Sequence, residues 1–193
     1  VMVRPAQLNR ILLEMRPVGE VKGIVMLVIR HKNIYRAMKA IPKDLVEEYE
    51  RFSHITIQYG VNEYDPERLQ NALDTLSVKL DTENVVSGFG YFEGVQEGKC
   101  DCVFLKVNDA VKDQLAKVKD VVKNNLECDP DRFPEYKPHI TLAYVKLGKG
   151  KEIAEMLGEK YMDLELDKIW IDDTLFFSNG SDKESTLYLN MKS

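Results

Sequence analysis

One short pattern occurs twice in this chain. His54-Ile55-Thr56-Ile57-Gln58-Tyr59 and His139-Ile140-Thr141-Leu142-Ala143-Tyr144 carry His, Ile, Thr and Tyr at matching positions, 85 residues apart (139 − 54). Strand alternation sends residues i and i+2 to one face, so each His shares a face with its Thr, while Ile55 and Ile57, or Ile140 and Leu142, point the other way. Each copy therefore presents an imidazole beside a hydroxyl on an apolar backing. A repeat of this kind constrains the fold: it predicts two similar strand–helix–strand units, hence an α+β protein of two lobes related by a pseudo-twofold axis, with antiparallel-rich sheets flanked by helices.

A single His-x-Thr carries little weight, because polar residues routinely alternate outward on half-buried strands. Two copies carry much more, since they hold two of only three histidines, one in each half of the chain, and each starts a strand followed by a helix-like segment. His31 lacks a Thr two residues on and reads as a surface or strand-end histidine.

Composition narrows the function classes. The chain has 193 residues, 44% of them apolar and 31% charged, as in an ordinary globular domain with a sizeable core. A formal charge of −5 argues against an extended nucleic-acid groove and favours a small anionic partner held by a local positive spot. The longest apolar run, Ile24 to Ile29, is far too short to span a bilayer, and Arg4, Arg10, Glu14 and Arg16 interrupt any secretory signal. Cys100, Cys102 and Cys128 are odd in number and wrongly spaced for a disulfide framework or a zinc site, so reduced thiols, a cytoplasmic setting, no metal and no cofactor are expected. Oligomeric state is not legible.

Along the chain, Leu8, Ile11, Leu12 and Met15 have helical spacing, and residues 1–22 read as an extension with a short docked helix ahead of a single domain over 23–193. Ile24–Ile29 reads as a central strand. Pro42-Lys43-Asp44 opens a short helix whose Leu45, Val46 and Tyr49 face the core. Asp65-Pro66 supplies a cap and a first-turn proline for a helix with Leu69, Leu73 and Leu76 on its apolar stripe. Strands over Val85–Val95 and Cys102–Val107 form a hairpin through Gln96–Lys99, and Asn108 caps a helix bearing Val111, Leu115, Val118 and Val122. Glu127–Pro138 is a loop feeding the second motif. A helix spans Lys149–Leu157, and strands over Leu164–Ile171 and Thr186–Met191 close the chain. Tyr59 and Tyr144, by strand parity, point away from the His and Thr as packing residues, and Trp170 is expected in the core.

Paired H-x-T-x motifs about half a chain apart are the mark of the 2H phosphoesterase superfamily, which the sequence resembles from about Gly23 to Lys192, including Ser87–Phe92 and Glu135–Pro138. Within it the chain is most similar to bacterial and phage members of the RNA 2′,3′-cyclic phosphodiesterase kind; a phage origin would place it in the host cytoplasm. The resemblance implies that both motifs meet in a central cleft. Histidine suits both halves of phosphodiester cleavage, since a pKa near neutrality lets one imidazole act as base while its twin acts as acid. On this reading His54 and His139 are the acid–base pair, in an order left open, and Thr56 and Thr141 donate to the non-bridging oxygens. No metal is required. Lys137, held near the strand face by Pro138, would add positive charge, and Tyr136 and Phe133 would stack on a base. The substrate would be a small nucleotide or an oligonucleotide end: a 2′,3′-cyclic phosphate, a 2′-5′ linkage or a cyclic oligonucleotide. The competing reading is a non-catalytic nucleotide-binding or RNA-tethering module on the same scaffold.

Overall fold

The structure is a computed structural model that describes residues 22–77, 80 and 83–189. The expected N-terminal helix over residues 8–15 lies outside the described residues. Among the described residues, eight strands form two four-stranded antiparallel sheets: β1 Gly23–Val28, β3 His54–Val61, β7 Thr174–Ser178 and β8 Glu184–Tyr188 in one, ordered β3-β1-β7-β8, and β2 Val46–Tyr49, β4 Val86–Gly94, β5 Cys100–Val107 and β6 His139–Lys146 in the other, ordered β2-β6-β5-β4. The helices of two turns or more among the described residues are α1 Lys32–Lys39, α2 Pro66–Asp74, α3 Asp109–Asn125 and α4 Gly150–Glu159. One continuous core, which includes Leu27, Ile55, Leu105, Leu115, Ile140 and Leu157, joins both sheets to the helices.

Each motif strand pairs antiparallel with an earlier strand that leads into a helix, β1 with β3 and β5 with β6, and each is itself followed by a helix. The chain nevertheless does not build one lobe and then the other. β2 leaves for the second sheet before β3 returns to the first, and β7 and β8 come back to the first sheet after β6. Gly23 opens the central strand β1 because a Cβ there would run into the carbonyl oxygens of Val61 and Ser178 on both flanking strands.

Local signals read from the sequence account for two of the helix starts. Asp65 accepts from Arg68 N at 3.0 Å with Pro66 in the first turn, and Asn108 accepts from Ala110 N at 3.0 Å. His31 caps α1, its Nδ1 accepting from Asn33 N at 3.1 Å. Other expectations fail. Lys43–Leu45 is a single 3₁₀ turn and Val46–Tyr49 a strand on β6, because Leu45, Val46 and Tyr49 can be half-buried in either geometry and the free edge of β6 decides. Leu164–Ile171 is not a strand: Leu166, Ile169 and Ile171 are buried, yet the backbone closes tight turns around Glu165, at φ 53°, and a 3₁₀ turn over Leu166–Lys168. The strand of this region lies later, at Thr174–Ser178. Trp170 is 56% exposed rather than in the core, its ring edge-on to His31 at 6.5 Å.

Asp101, which the sequence does not single out, is a buried tie. Its carboxylate accepts from Gly94 N at 3.1 Å and from Gly148 N and Gly150 N at 2.9 Å each, fastening the β4–β5 hairpin to the turn before α4. Three backbone donors compensate the loss of hydration of a carboxylate placed inside the protein.

Candidate active site

The two motif strands come together from different sheets. β3 is an edge of its sheet, and the loop after α3 runs along that edge: Val61 bridges Cys128, Asp129 N donates to Gly60 O at 2.8 Å, and Asn62 N donates to Glu127 O at 2.8 Å. From there the loop crosses to β6 and delivers His139. Lys119 and Lys123 of α3 hold Asp131 at 3.2 and 2.7 Å, which fixes the crossing.

Within each strand the His and Thr share a face, as alternation requires, and each imidazole is oriented alike. His54 Nδ1 lies 3.2 Å from Phe52 O and His139 Nδ1 lies 2.8 Å from Lys137 O, in both cases the carbonyl two residues earlier. A carbonyl can only accept, so Nδ1 carries the hydrogen in both rings and Nε2 is left to give or take a proton. The rings are braced by aromatics: Phe52 at 4.9 Å from His54, Phe104 at 5.0 Å and Phe92 at 5.1 Å from His139. Burial favours the neutral form of both. It pushes His54 down to about 4, opposed by the Phe52 carbonyl and reinforced by His139, and it lowers His139 as well. A proton on His139 thus disfavours one on His54.

The expectation for the tyrosines is overturned by the same irregularity in both strands. β1 pairs Val25 with Gln58 and Met26 with Thr56, skipping Ile57; β5 pairs Val103 with Ala143 and Phe104 with Thr141, skipping Leu142. Each bulge sits three residues after its histidine and reverses the alternation beyond it. Tyr59 then aligns with Ile24, in the same row as Met26 and Thr56, and Tyr144 aligns with Cys102, whose Sγ lies 3.8 Å from Thr141 Oγ1. Both tyrosines thus stand on the His/Thr face, not behind it.

The remaining candidates separate. Lys137 and Phe133 are exposed on the loop before β6, Phe133 at 75%. Tyr136 braces the first motif: its hydroxyl donates to Thr56 O at 2.7 Å and Lys119 Nζ lies 5.1 Å over its ring. Sequence reasoning missed Glu50, in the short link from β2 to β3. Its N–H donates to Leu142 O at 2.9 Å, its side chain is 6% exposed, and its Oε1 finds no partner among the described residues. Burial pushes its carboxyl up to about 7. A single Glu beside Arg51 in a link carries no sequence signal of burial; the signal is the bond to β6. The Cys102 thiol is pushed up to about 11 by burial and is inert as a nucleophile. Among the described residues no three His, Cys, Asp or Glu side chains gather as a metal site, and no helix is long and apolar enough to cross a membrane.

No family model and no curated protein matches the chain. Solved structures do. Usb1 of Kluyveromyces marxianus superposes with a TM-score of 0.64 at 12% identity, covering 90% of this chain and all of its own (100%). The same protein with uridine monophosphate superposes with a TM-score of 0.58 at 12% identity, covering 86% of this chain and 98% of its own. At that identity the likeness is one of fold: a mixed α/β chain with two antiparallel sheets arranged as in Usb1.

Proposed function

We propose that the chain is a metal-independent phosphodiesterase acting on a nucleotide or an oligonucleotide end, with His54 and His139 as its acid–base pair. The observation that carries this reading is the matched presentation of two imidazoles, each with Nδ1 tied to the carbonyl two residues back and Nε2 free, within electrostatic reach of one another. A binding module has no use for two identically oriented proton-transfer atoms. The uridine monophosphate bound to the structurally similar Usb1 supports a nucleotide ligand. The repeated bulge and the repeated histidine bond support a pseudo-twofold axis between the motifs, in a cleft where one phosphate meets both.

The proton assignments follow from the surroundings. His54 is the harder to charge and is disfavoured further by a proton on His139, so near neutral pH the singly protonated pair carries its proton on His139. Neutral His54 Nε2 then takes the proton from the attacking oxygen, a water or the substrate's own 2′-hydroxyl, as the P–O bond forms. His139 gives its proton to the leaving oxygen as the other P–O bond breaks. Thr56 and Thr141 donate to the non-bridging oxygens as their charge grows. The deciding experiment incubates the protein with 2′,3′-cyclic mononucleotides, 2′-5′-linked and 3′-5′-linked oligonucleotides and cyclic dinucleotides in the presence of EDTA, with products separated by chromatography. Turnover of one class is expected, and turnover of none would overturn the reading.

A further inference from the structure

Beyond His139 the molecule carries a groove that the acid–base pair does not need. It holds about 760 Å³ and runs over β4, the free edge of its sheet, from Phe92, Phe104, Lys106 and Lys137 beside the second motif to Lys151 at the start of α4. That volume lies in the upper part of the roughly 300–1,000 Å³ typical of ligand sites, more than one phosphate and one sugar fill. Gly90 opens its floor: a Cβ there would stand 2.6 Å from the Phe104 ring and 3.0 Å from the Lys106 stem, so only glycine lets both side chains lie across the edge strand. Phe92 and Phe104 are in contact with one another at 4.4 Å and with His139, which makes the aromatic end of the groove continuous with the site.

The charge of the lining is unlike that of the chain. Lys106, Lys112, Lys137 and Lys151 stand against Asp109, Glu135 and Glu155, a balance of +1 (4 − 3) in a protein of net charge −5. Glu135 is already paired with Lys112 at 2.9 Å, while Lys106, Lys137 and Lys151 make no ion pair among the described residues. Unpaired ammonium groups along a groove floored by aromatic rings suit a chain of phosphates with bases that stack.

Resting on the phosphodiesterase reading, we infer that this groove binds the nucleotides flanking the cleaved linkage, so that the preferred substrate is a single-stranded oligonucleotide of several residues and not a lone nucleotide. A groove reserved for a peptide strand added to the β4 edge would leave nucleotide affinity independent of length.

The test measures binding, not turnover. Affinities of the catalytically silent full chain, His54→Ala, are measured by calorimetry for oligouridylates of one, two, four and six nucleotides. Affinity should tighten about tenfold or more between one and four nucleotides, the scale of one stacked base. Lys151→Glu in the same background should erase most of that gain. Lys117→Glu, a charge change on the exposed face of α3, should retain it, with circular dichroism confirming that both variants fold. Length-independent affinity, or a gain untouched by Lys151→Glu, overturns the inference. The two readings fail separately: length-dependent binding without cleavage of any substrate would keep the groove and remove the enzyme, while cleavage of cyclic mononucleotides with length-independent affinity would keep the enzyme and remove the groove.

Discussion

His54 and His139 are held alike by their own strands and stand in different walls. Both tie Nδ1 to the carbonyl two residues back, and both strands bulge at the third residue after the histidine. Around His54 the face of the sheet is apolar, with Ile24, Met26, Phe52 and Phe176 packed together, and the small cavity beyond Val28, about 90 Å³, ends at the exposed Trp170. Around His139 the wall is two phenylalanines opening onto a lysine-lined groove of about 760 Å³. Local sequence presents the two imidazoles alike, while their neighbours differ, and on the proposed mechanism that difference decides which of them accepts a proton and which donates one. The same motif can therefore appear twice without doing the same thing twice.

The strongest way to break this comparison is to remove each imidazole in turn. His54→Ala and His139→Ala should each lower turnover by about 10² to 10⁴, the worth of a positioned acid or base, with the fold intact by circular dichroism. If one of them retained full activity on the best substrate, the motifs would not be a pair. The hydroxyls come next. Thr56→Val and Thr141→Val keep the β-branched shape and remove one donor each, and steady-state rates should fall about 10²-fold. Thr141 is the more buried and has a thiol 3.8 Å away, so its valine variant should also be the better tolerated in thermal melts.

A pH–rate series sharpens the assignment. With chemistry rate-limiting, the profile should be a bell whose maximum lies on the acid side of 6.5, because burial lowers both imidazoles, with limbs that belong to the coupled pair. A flat profile would remove the acid–base mechanism, and valine variants that changed the shape of the bell rather than its height would give the threonines a different role.

The smallest effects concern stability and have opposite signs on the two sides of the β2–β3 link. His54 is depressed from 6.5 to about 4, so the folded state binds fewer protons than the unfolded chain across that window, and its contribution to stability is present above pH 6.5 and lost as pH falls towards 4. Glu50 is raised from 4.5 to about 7, so the folded state binds more protons, and its contribution is present below pH 4.5 and lost as pH rises through 7. Urea midpoints across this range should lose part of their acid-side decline in His54→Gln and part of their alkaline-side decline in Glu50→Gln. Unchanged slopes in Glu50→Gln would mean that its carboxyl is hydrated in solution.

What was legible in the sequence was what a residue and its near neighbours decide by themselves. The i, i+2 spacing puts His54 with Thr56 and His139 with Thr141 in any strand, whatever that strand pairs with, and Asp65-Pro66 and Asn108 start helices through bonds to backbone atoms two or three residues away. What the sequence could not decide depends on partners far along the chain. The bulges at Ile57 and Leu142 exist only against β1 and β5, and they carry Tyr59 and Tyr144 to the site face against their parity. Val46–Tyr49 became a strand because β6 offered an edge, and Tyr136 became a brace because Thr56 O lay within reach, 80 residues earlier (136 − 56). Glu50 is buried because its N–H is claimed by Leu142 O, and the groove exists because β4 is left as an edge with glycine at position 90. Strand periodicity is a property of the backbone and survives any tertiary arrangement, whereas register, burial and the walls of a cavity are set by which distant surfaces exclude water together.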